Sequence, residues 1–309
     1  MKKEICVSEI AHFLCSEYFG EDIFVDGVNS FVNVSDNQVT FSKSKKKLEN
    51  GTKCLILVPL DFVYDKNLSY AVIKVQNPRL SFIRVIDEFF IDKKTFSISK
   101  SSVIGRSCNL DESITIGENC VIGKNVTIKS GTVINHNVII SDNTIIGENC
   151  YIKSGSVIGE DGFGFERDEN NIPIRFPHIG NVVIGNNVEI GCNTVIAKAT
   201  LESTIIKDNV KIDDNVFIAH NVNIEENNII CACADISGSV KIGKNSWIGP
   251  NSSIIHGVFL GESVFIGIGA LVTKNVKNGV TIIGNKSNSI EKYAEENNTL
   301  RRLKKLLEN

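Results

Sequence analysis

The sequence is poor in several features that mark large classes of protein. Aromatic residues make up 7% of the 309 residues, and there are one Met, one Trp and five Pro. The longest uncharged apolar run, around residues 54–60, is far shorter than the ~20 residues that span a bilayer. The formal net charge is −3, so no overall positive field favours nucleic acid. We therefore expect neither a membrane span nor a nucleic-acid partner.

The cysteines and the N-terminus indicate where the protein works. Nine cysteines, an odd number without paired spacing, favour free thiols in a reducing compartment over a disulfide framework. Cys231 and Cys233 form a C-x-C pair, which lacks the further ligands of a zinc site, so no metal is predicted. Glu4 and Glu9 interrupt the stretch where a signal peptide needs an unbroken apolar core. These features predict a cytoplasmic protein.

What the sequence has in abundance is a six-residue repeat of aliphatic residues. A period of six matches neither an α-helix nor simple strand alternation, but it fits a short strand followed by a tight turn. Gly, Asn and Asp in the repeat tolerate the backbone angles of such turns. The repeat runs through Ile116, Ile122, Ile128, Ile134, Ile140, Ile146, Ile152 and Ile158, then Ile184, Ile190 and Ile196, and then from Ile206 in steps of six to Val272.

This period predicts a mainly β protein built as a parallel β-helix of hexapeptide repeats. Three repeats form one triangular coil of about 18 residues, and roughly 23 repeats predict seven or eight stacked coils. Two segments interrupt the repeat, a long one at 159–182 and a four-residue slip within 197–205. Loops on a rigid solenoid often carry function, although both segments could be plain surface excursions.

The rest of the chain divides around this repeat. Residues 1–100 mix helix-like and strand-like stretches and predict a small α/β domain. The β-helix domain is expected at 101–284, with its loop insertion at 159–182. Residues 285–309 carry leucines at helical spacing and predict a C-terminal helix.

His220 interrupts the repeat within "FIAHNVNI" (217–224). In coils of about 18 residues, Gly238 stacks on His220 and His256 stacks on Gly238, which predicts two imidazoles roughly 10 Å apart. Histidine titrates near neutrality and can take a proton from a nucleophile. The Gly238 N–H, free of a side chain, can stabilise an oxyanion. Asp213, just upstream, can bind a substrate amine or hydroxyl.

No covalent nucleophile accompanies these residues, because Ser237 and Ser239 lack a triad. We therefore expect direct transfer, in which an amine or hydroxyl attacks an acyl thioester while His220 removes its proton. A surface histidine without a catalytic role is the alternative reading.

Four segments resemble the bacterial UDP-3-O-acylglucosamine N-acyltransferases of lipid A biosynthesis. That family has an N-P-x-L-x-F segment, a G-x-D-G-F-G-Y loop and an I-A-H-N-V segment holding its catalytic base, in this order along nearly the whole chain. The matching stretches are "NPRLSFIRVIDEFF" (77–90), "GEDGFGF" (159–165), "NVVIGNNVEIGCNTVI" (181–196) and "KIDDNVFIAHNVNI" (211–224).

The resemblance implies a left-handed β-helix, a homotrimer and specific residue roles. It implies N-acylation of a nucleotide-linked amino sugar by an acyl thioester, with 3-hydroxyacyl carrier protein favoured and no bound cofactor. The carrier protein would meet basic residues at 300–307. His220 would be the catalytic base and Gly238 the backbone oxyanion donor. The substrate contacts implied are Asp213, His256, Phe41, Phe163 and Phe165.

The chain departs from the family at two motifs. The family's I-D-R-G-A-L reads "IAKATL" here, which puts Ala197 at the acid and Lys198 at the arginine. In the uridine-binding stretch Phe41 is kept, but Ser44 and Lys47 replace an asparagine and a tyrosine.

The sequence leaves three other functions possible. The end of the β-helix domain also resembles the end of sugar acetyltransferases, through "WIGPNSSIIHGVFLGESVFIGIGALVTKNV" (247–276) and the "IIGNKSNSI" that follows. This resemblance implies a short-chain acyl-CoA donor and N- or O-acetylation of a nucleotide sugar for O-antigen or capsule. A non-catalytic β-helix scaffold is a second alternative, disfavoured by the ionisable His–Gly–His column. A γ-class carbonic anhydrase is a third, but the five histidines include no H-x4-H pair.

Overall fold

The structure is a computed structural model, and it describes residues 4–44, 51–91 and 96–284, together with 292, 295, 297–299 and 301–302. The chain separates into two compact units, residues 1–94 and 95–309.

The first unit is a small sheet with two short helices. Its five-stranded sheet has the order β2–β7–β6–β5–β4, parallel except for the antiparallel β2–β7 pair, and β1 pairs with β3. Helix α2 begins where Asn77 accepts a hydrogen bond from the Leu80 N–H and Pro78 occupies the first turn, a favourable start for a helix. The elements are β1 (Ile5–Cys6), α1 (Val7–Phe13), β2 (Tyr18–Phe19), β3 (Phe24–Val25), β4 (Gly27–Val28), β5 (Gln38–Phe41), β6 (Leu55–Pro59), β7 (Ala71–Val75), α2 (Pro78–Val85) and a π-helical turn (Ile86–Phe90).

The second unit is a parallel β-helix of short strands, so the predicted fold class is confirmed. In chain order the strands are β8 (Ser97–Ile98), β9 (Val103–Ile104), β10 (Asn109–Leu110), β11 (Thr115–Ile116), β12 (Val121–Ile122), β13 (Thr127–Ile128), β14 (Val133–Ile134), β15 (Ile139–Ile140), β16 (Ile145–Ile146), β17 (Tyr151–Ile152), β18 (Val157–Ile158), β19 (Phe165–Arg167), β20 (Pro173–Arg175), β21 (Asn181–Ile184), β22 (Glu189–Ile190), β23 (Val195–Ile196), β24 (Ser203–Ile206), β25 (Lys211–Ile212), β26 (Phe217–Ile218), β27 (Asn223–Ile224), β28 (Ile229–Ile230), β29 (Asp235–Ile236), β30 (Lys241–Ile242), β31 (Trp247–Ile248), β32 (Ser253–Ile254), β33 (Phe259–Leu260), β34 (Phe265–Ile266), β35 (Leu271–Val272) and β36 (Thr281–Ile282).

Successive strands belong to three faces, which hold ten, nine and eight strands. The ten-stranded face runs from β8 to β36, the nine-stranded face from β9 to β35, and the eight-stranded face from β10 to β33. The predicted seven or eight coils are therefore too few. The repeat already begins at Ile98, Ile104 and Leu110, which lie six residues apart upstream of Ile116 but are only partly covered by the first coils.

The repeated aliphatic residues form the core, and asparagine forms many of the turns. The repeat residues from Ile116 onward are almost fully buried inside the coils. The third residue after each is often an asparagine in the left-handed conformation, such as Asn125 and Asn227 with φ of 56° and 61°. Asparagine adopts that conformation more readily than most residues, which explains its abundance here.

The two interruptions shift the register between coils without breaking the faces. Hydrogen-bond partners in regular coils are 18 residues apart, as for Lys124 and Asp142. Across the first insertion the separation is 38, and the insertion folds into the antiparallel hairpin β19–β20. Across the second it is 22, which confirms the four-residue slip.

The C-terminal segment is described at 292, 295, 297–299 and 301–302, and these residues are helical. The rest of the predicted carrier-protein contact at 300–307 lies outside the described residues, as does Lys47. No helix among the described residues is long and apolar enough to cross a membrane.

Candidate active site

His220 lies in the turn that follows β26, where the chain passes from the nine-stranded to the eight-stranded face. Phe217 pairs with Asp235, and Asp235 pairs with Ser253. This register stacks His220, Gly238 and His256 on successive coils, as the sequence predicts. His220 is half-buried, Gly238 is buried and His256 is exposed.

The two imidazoles are closer than the roughly 10 Å predicted from coil spacing. Their ring centroids are 6.3 Å apart. The rings can approach because Gly238 puts no side chain between them. A Cβ at Gly238 would lie 2.8 Å from His220 Nε2 and 3.1 Å from His256 Nδ1.

Some N–H groups at the same position of other turns meet a side-chain acceptor, whereas others, such as that of Lys244, meet none among the described residues. The Lys124 N–H donates to Asp142 Oδ1 at 2.7 Å, and the Glu118 N–H donates to His136 Nδ1 at 2.8 Å. Within the described part of the chain, the Gly238 N–H has no such acceptor. The crevice between His220 and His256 therefore presents a base and a backbone donor side by side.

Sequence reasoning missed a third histidine in this cluster. His178 is 5% exposed, and its ring centroid lies 5.4 Å from that of His220. Its Nδ1 contacts the Phe176 carbonyl oxygen at 2.9 Å, while its Nε2 is buried and has no hydrogen-bond partner among the described residues. The long insertion is aperiodic, so the repeat could not place His178, and a histidine near the loop's end was the one available signal.

The long insertion packs its backbone directly onto these rings. A Cβ at Gly162 would lie 2.9 Å from His178 Nε2 and 2.9 Å from His220 Cβ. A Cβ at Gly164 would lie 3.2 Å from His178 Cε1. The glycines of the "GEDGFGF" stretch thus allow a close approach that larger residues would prevent.

The two insertions also hold each other. Lys198 Nζ lies 2.8 Å from Asp161 Oδ1, and the Lys198 N–H donates to the Glu160 carbonyl at 3.0 Å. The hydrogen bond from Lys198 lowers the pKa of the Asp161 carboxyl below its usual value. A cation at the family's arginine position therefore anchors the first insertion beside the histidines.

Phe163 and Phe165 extend from this loop into solvent. Phe163 is 82% exposed, and its ring centroid lies 4.8 Å from that of Phe165. Arg175 stacks over Phe165 at 4.8 Å. The two rings line a pocket of about 450 Å³ with Glu166, Arg167 and Pro173.

The structure does not bring Asp213 to His220 within one chain. Asp213 follows β25, in the turn between the ten-stranded and nine-stranded faces, one corner of the prism away. It is exposed, and its Oδ2 accepts a hydrogen bond from the Ala232 N–H at 3.2 Å. It lines a second pocket, of about 240 Å³, whose lining includes Lys153, Glu189, Lys211, Cys231 and Trp247.

Phe41 lies in the first unit and packs on a neighbouring aromatic ring. Its centroid is 5.0 Å from that of Phe82, and its side chain is partly buried against the core of that unit. The predicted stacking of Phe41 on a base stays a prediction.

No group of three or more His, Cys, Asp or Glu side chains in the described ranges is arranged to hold a metal ion. All nine cysteines are free thiols.

Comparison with known proteins first defines the class. The family described as bacterial transferase hexapeptide (six repeats) matches residues 125–160, and the hexapeptide repeat of succinyl-transferase matches 181–219 and 239–274. The protein is an acyltransferase of the hexapeptide-repeat class.

Similarity over nearly the whole chain defines the family to which the protein belongs. The chain is 36% identical over 293 residues to the UDP-3-O-acylglucosamine N-acyltransferase of Campylobacter lari, covering 90% of this chain and 91% of that protein. It therefore belongs to the UDP-3-O-acylglucosamine N-acyltransferase family.

Solved structures of sugar acyltransferases are similar over about three-fifths of the chain. The UDP-N-acetylglucosamine acyltransferase of Francisella novicida is 28% identical, with a TM-score of 0.55 over 61% of this chain and 67% of that one. The UDP-N-acetylglucosamine O-acyltransferase of Moraxella catarrhalis is 25% identical, with a TM-score of 0.57 over 64% and 77%.

Proposed function

We propose that the protein transfers a 3-hydroxyacyl group from acyl carrier protein to the amine of a UDP-linked 3-O-acylglucosamine, a step of lipid A biosynthesis. The observation that carries this proposal is the crevice in which His220 Nε2 faces Gly238, whose N–H has no acceptor in the described residues. The family relative supplies the substrate class, because its name specifies UDP-3-O-acylglucosamine.

The proposed reaction is direct and needs no covalent enzyme intermediate. The acceptor amine attacks the thioester carbonyl carbon and His220 Nε2 takes the proton that the amine loses. The Gly238 N–H donates to the oxyanion that forms on the carbonyl oxygen. Collapse of this intermediate breaks the C–S bond, and the thiolate that leaves takes the proton from the imidazolium.

His256 and the exposed aromatic residues are proposed as substrate contacts. His256 borders the crevice on the coil beyond Gly238 and is exposed. Phe163 and Phe165 present apolar rings next to the glycines that touch the histidines. Phe41 is proposed to contact the uracil base, and residues 300–307 to contact the carrier protein. Nine free thiols fit the reducing conditions of the cytoplasm, where we place the reaction.

A homotrimer explains why Asp213 and His220 lie on different corners. Cyclic assembly of three prisms brings one corner of a subunit against a different corner of the next. We infer that Asp213 of one copy faces His220 of its neighbour and orients the substrate amine there. Its pocket already contains an ordered ion pair, Lys153 with Glu189 at 2.9 Å, which raises the pKa of Lys153 through the hydrogen bond.

Mass spectrometry of reaction products tests the proposal. The purified protein is mixed with 3-O-acylated UDP-glucosamine or with UDP- and dTDP-linked amino sugars, and with either 3-hydroxyacyl carrier protein or acetyl-CoA. N-acylated product from the carrier protein, lost in His220→Ala, is the expected result. Product from acetyl-CoA alone would instead assign the enzyme to short-chain acetylation of a surface-glycan precursor.

A further inference from the structure

The side-chain oxygen of Asn221 reveals which nitrogen of His220 carries the proton. This oxygen lies 2.9 Å from His220 Nδ1, and it accepts hydrogen bonds from the N–H and the hydroxyl of Thr200, each at 3.1 Å. The backbone N–H of Thr200 can only donate, so the Asn221 atom that faces it must be the amide oxygen. That oxygen can only accept, so His220 Nδ1 must be the donor.

This assignment leaves His220 Nε2 unprotonated in the neutral ring, because a neutral imidazole carries one N–H. Nε2 is the nitrogen beside Gly238. The tautomer set by Asn221 is therefore the one whose lone pair faces the crevice. When Nε2 takes a proton, the Nδ1–H bond to Asn221 becomes charge-assisted and strengthens.

Asn221 is itself held by the second insertion and the strand after it. Its backbone adopts the left-handed conformation, with φ of 61°, and its N–H donates to Thr204 Oγ1 at 2.9 Å. Thr200 belongs to the four residues added to this coil, and Thr204 lies in β24, which follows them. A regular coil would have no residue at the place of Thr200.

We propose that the four-residue insertion is a positioning element, in which Thr200 and Asn221 fix the tautomer of His220. The inference rests on the proposed function in one respect, the role of His220 as the base. The hydrogen bonds that carry it do not depend on which donor or sugar the enzyme uses.

Nuclear magnetic resonance of the full-length protein with 15N-labelled histidine tests this proposal directly. The 15N shifts of an imidazole distinguish Nδ1–H from Nε2–H, and a His220→Gln variant assigns the His220 signals. We expect the unsubstituted protein to show the Nδ1–H form. In Asn221→Gly, which keeps a residue suited to positive φ but removes the acceptor, we expect a mixture of tautomers.

A matched control is available on the next corner of the same coil. Asn227 is also left-handed, with φ of 61°, and it is exposed. Asn227→Gly makes the same chemical change on a corner that carries neither His220 nor Asp213, so the His220 signals should stay as in the unsubstituted protein. Asn221→Asp restores an acceptor and should restore the Nδ1–H form.

The kinetic consequence should fall on turnover rather than on substrate binding. Asn221→Gly should lower kcat about 10- to 100-fold, the range seen when a group that orients a metal-bound histidine is lost. The KM for either substrate should change little, because Asn221 contacts His220. Thr200→Val, which removes the hydroxyl but keeps the N–H, should produce a smaller loss in kcat, and Thr200→Ser should reverse it.

The outcomes separate this inference from the proposed function. An unchanged Nδ1–H signal in Asn221→Gly would overturn the positioning role, whatever the activity of that variant. Full activity in His220→Gln would instead overturn the role of His220 as base, and with it the mechanism, while leaving the tautomer measurement to stand.

Discussion

Gly238 is the residue whose smallness the crevice most depends on. A methyl group there would lie 2.8 Å from His220 Nε2, in the space where we place the reacting carbonyl. Gly238→Ala keeps the backbone N–H but blocks the approach of the carbonyl oxygen to it, so it should lower kcat/KM by about 10²- to 10³-fold, as when an oxyanion donor is lost. Steady-state kinetics check this, with thermal unfolding to confirm that the variant folds.

Gly164→Ala is the control for this substitution. Its Cβ would also approach a histidine of the cluster, at 3.2 Å from His178 Cε1, but its three nearest atoms belong to His178 and Phe176 and none to His220. It should lower kcat/KM far less. Equal losses in the two variants would contradict the oxyanion role of Gly238 and indicate a general disturbance of the histidine cluster.

At the scale of single residues, the sequence could predict the position of each residue that belongs to the six-residue repeat. The register of His220, Gly238 and His256 follows from coils of constant length, and the structure shows the same register. Ring positions do not follow from coil spacing, so the predicted separation was too long. His178 belongs to an aperiodic loop, and no rule of spacing leads from its position to His220.

At the scale of elements, the ion pair between the insertions is a local clamp. Lys198 and Asp161 are partly exposed, at 23% and 44%, and such pairs contribute about 0–1 kcal/mol to folding. Lys198→Met should therefore hardly change the free energy of unfolding. It should speed hydrogen–deuterium exchange at the amides of 160–165 and lower kcat, because this loop packs on His220.

The pH dependence of this clamp follows from the direction of the pKa shift. Folding lowers the pKa of Asp161 below its ordinary value of 3.8, so the pair stabilises the loop above that value. The stabilisation is lost as the pH falls through the lowered pKa. The effect of Lys198→Met on exchange should thus be constant across neutral pH, and a dependence on pH near 7 would contradict the pairing.

Asparagine ladders are a second feature of the elements. Asn209 donates to Asn227 Oδ1 at 3.0 Å, and Asn227 donates to Asn245 Oδ1 at 3.1 Å, all three in the left-handed conformation. Asn227→Ala loses these bonds and also adopts a backbone that costs alanine about 1–2 kcal/mol. Asn227→Gly loses the bonds alone, so it should unfold at higher urea than Asn227→Ala. Identical urea midpoints of the two variants would show that the turn conformation contributes nothing to the free energy of unfolding.

The sequence predicted these elements unevenly. The turn after each buried aliphatic residue follows from the abundance of asparagine and glycine, and both interruptions were located. The repeat was counted from Ile116 onward, so the hexads of Ile98, Ile104 and Leu110 were left out of the number of coils. Nothing local in the sequence shows that the slip at 197–205 supports a histidine 20 residues away.

At the scale of the whole molecule, the separation of Asp213 from His220 predicts that each active site is shared. Variants His220→Ala and Asp213→Ala should each be nearly inactive. Coexpressed in equal amounts, they should recover roughly a quarter of the activity, because some neighbouring pairs in a cyclic trimer then contribute one intact residue each. Size-exclusion chromatography with light scattering measures the oligomer.

Two results would contradict the shared site. A monomer of full activity would do so at once. Coexpressed variants with no more activity than either parent, in a verified mixed trimer, would show that Asp213 does not act on a neighbour's His220.

The measurement that tests the central claim most directly compares two histidines in product-forming assays. His136 follows Ile134 as His220 follows Ile218, and it accepts a hydrogen bond from the Glu118 N–H in the preceding coil. His220→Asn should lower kcat about 10²- to 10⁴-fold, the usual loss of a general base, while His136→Asn should leave it nearly unchanged. Equal activity in the two variants would contradict a catalytic centre at His220.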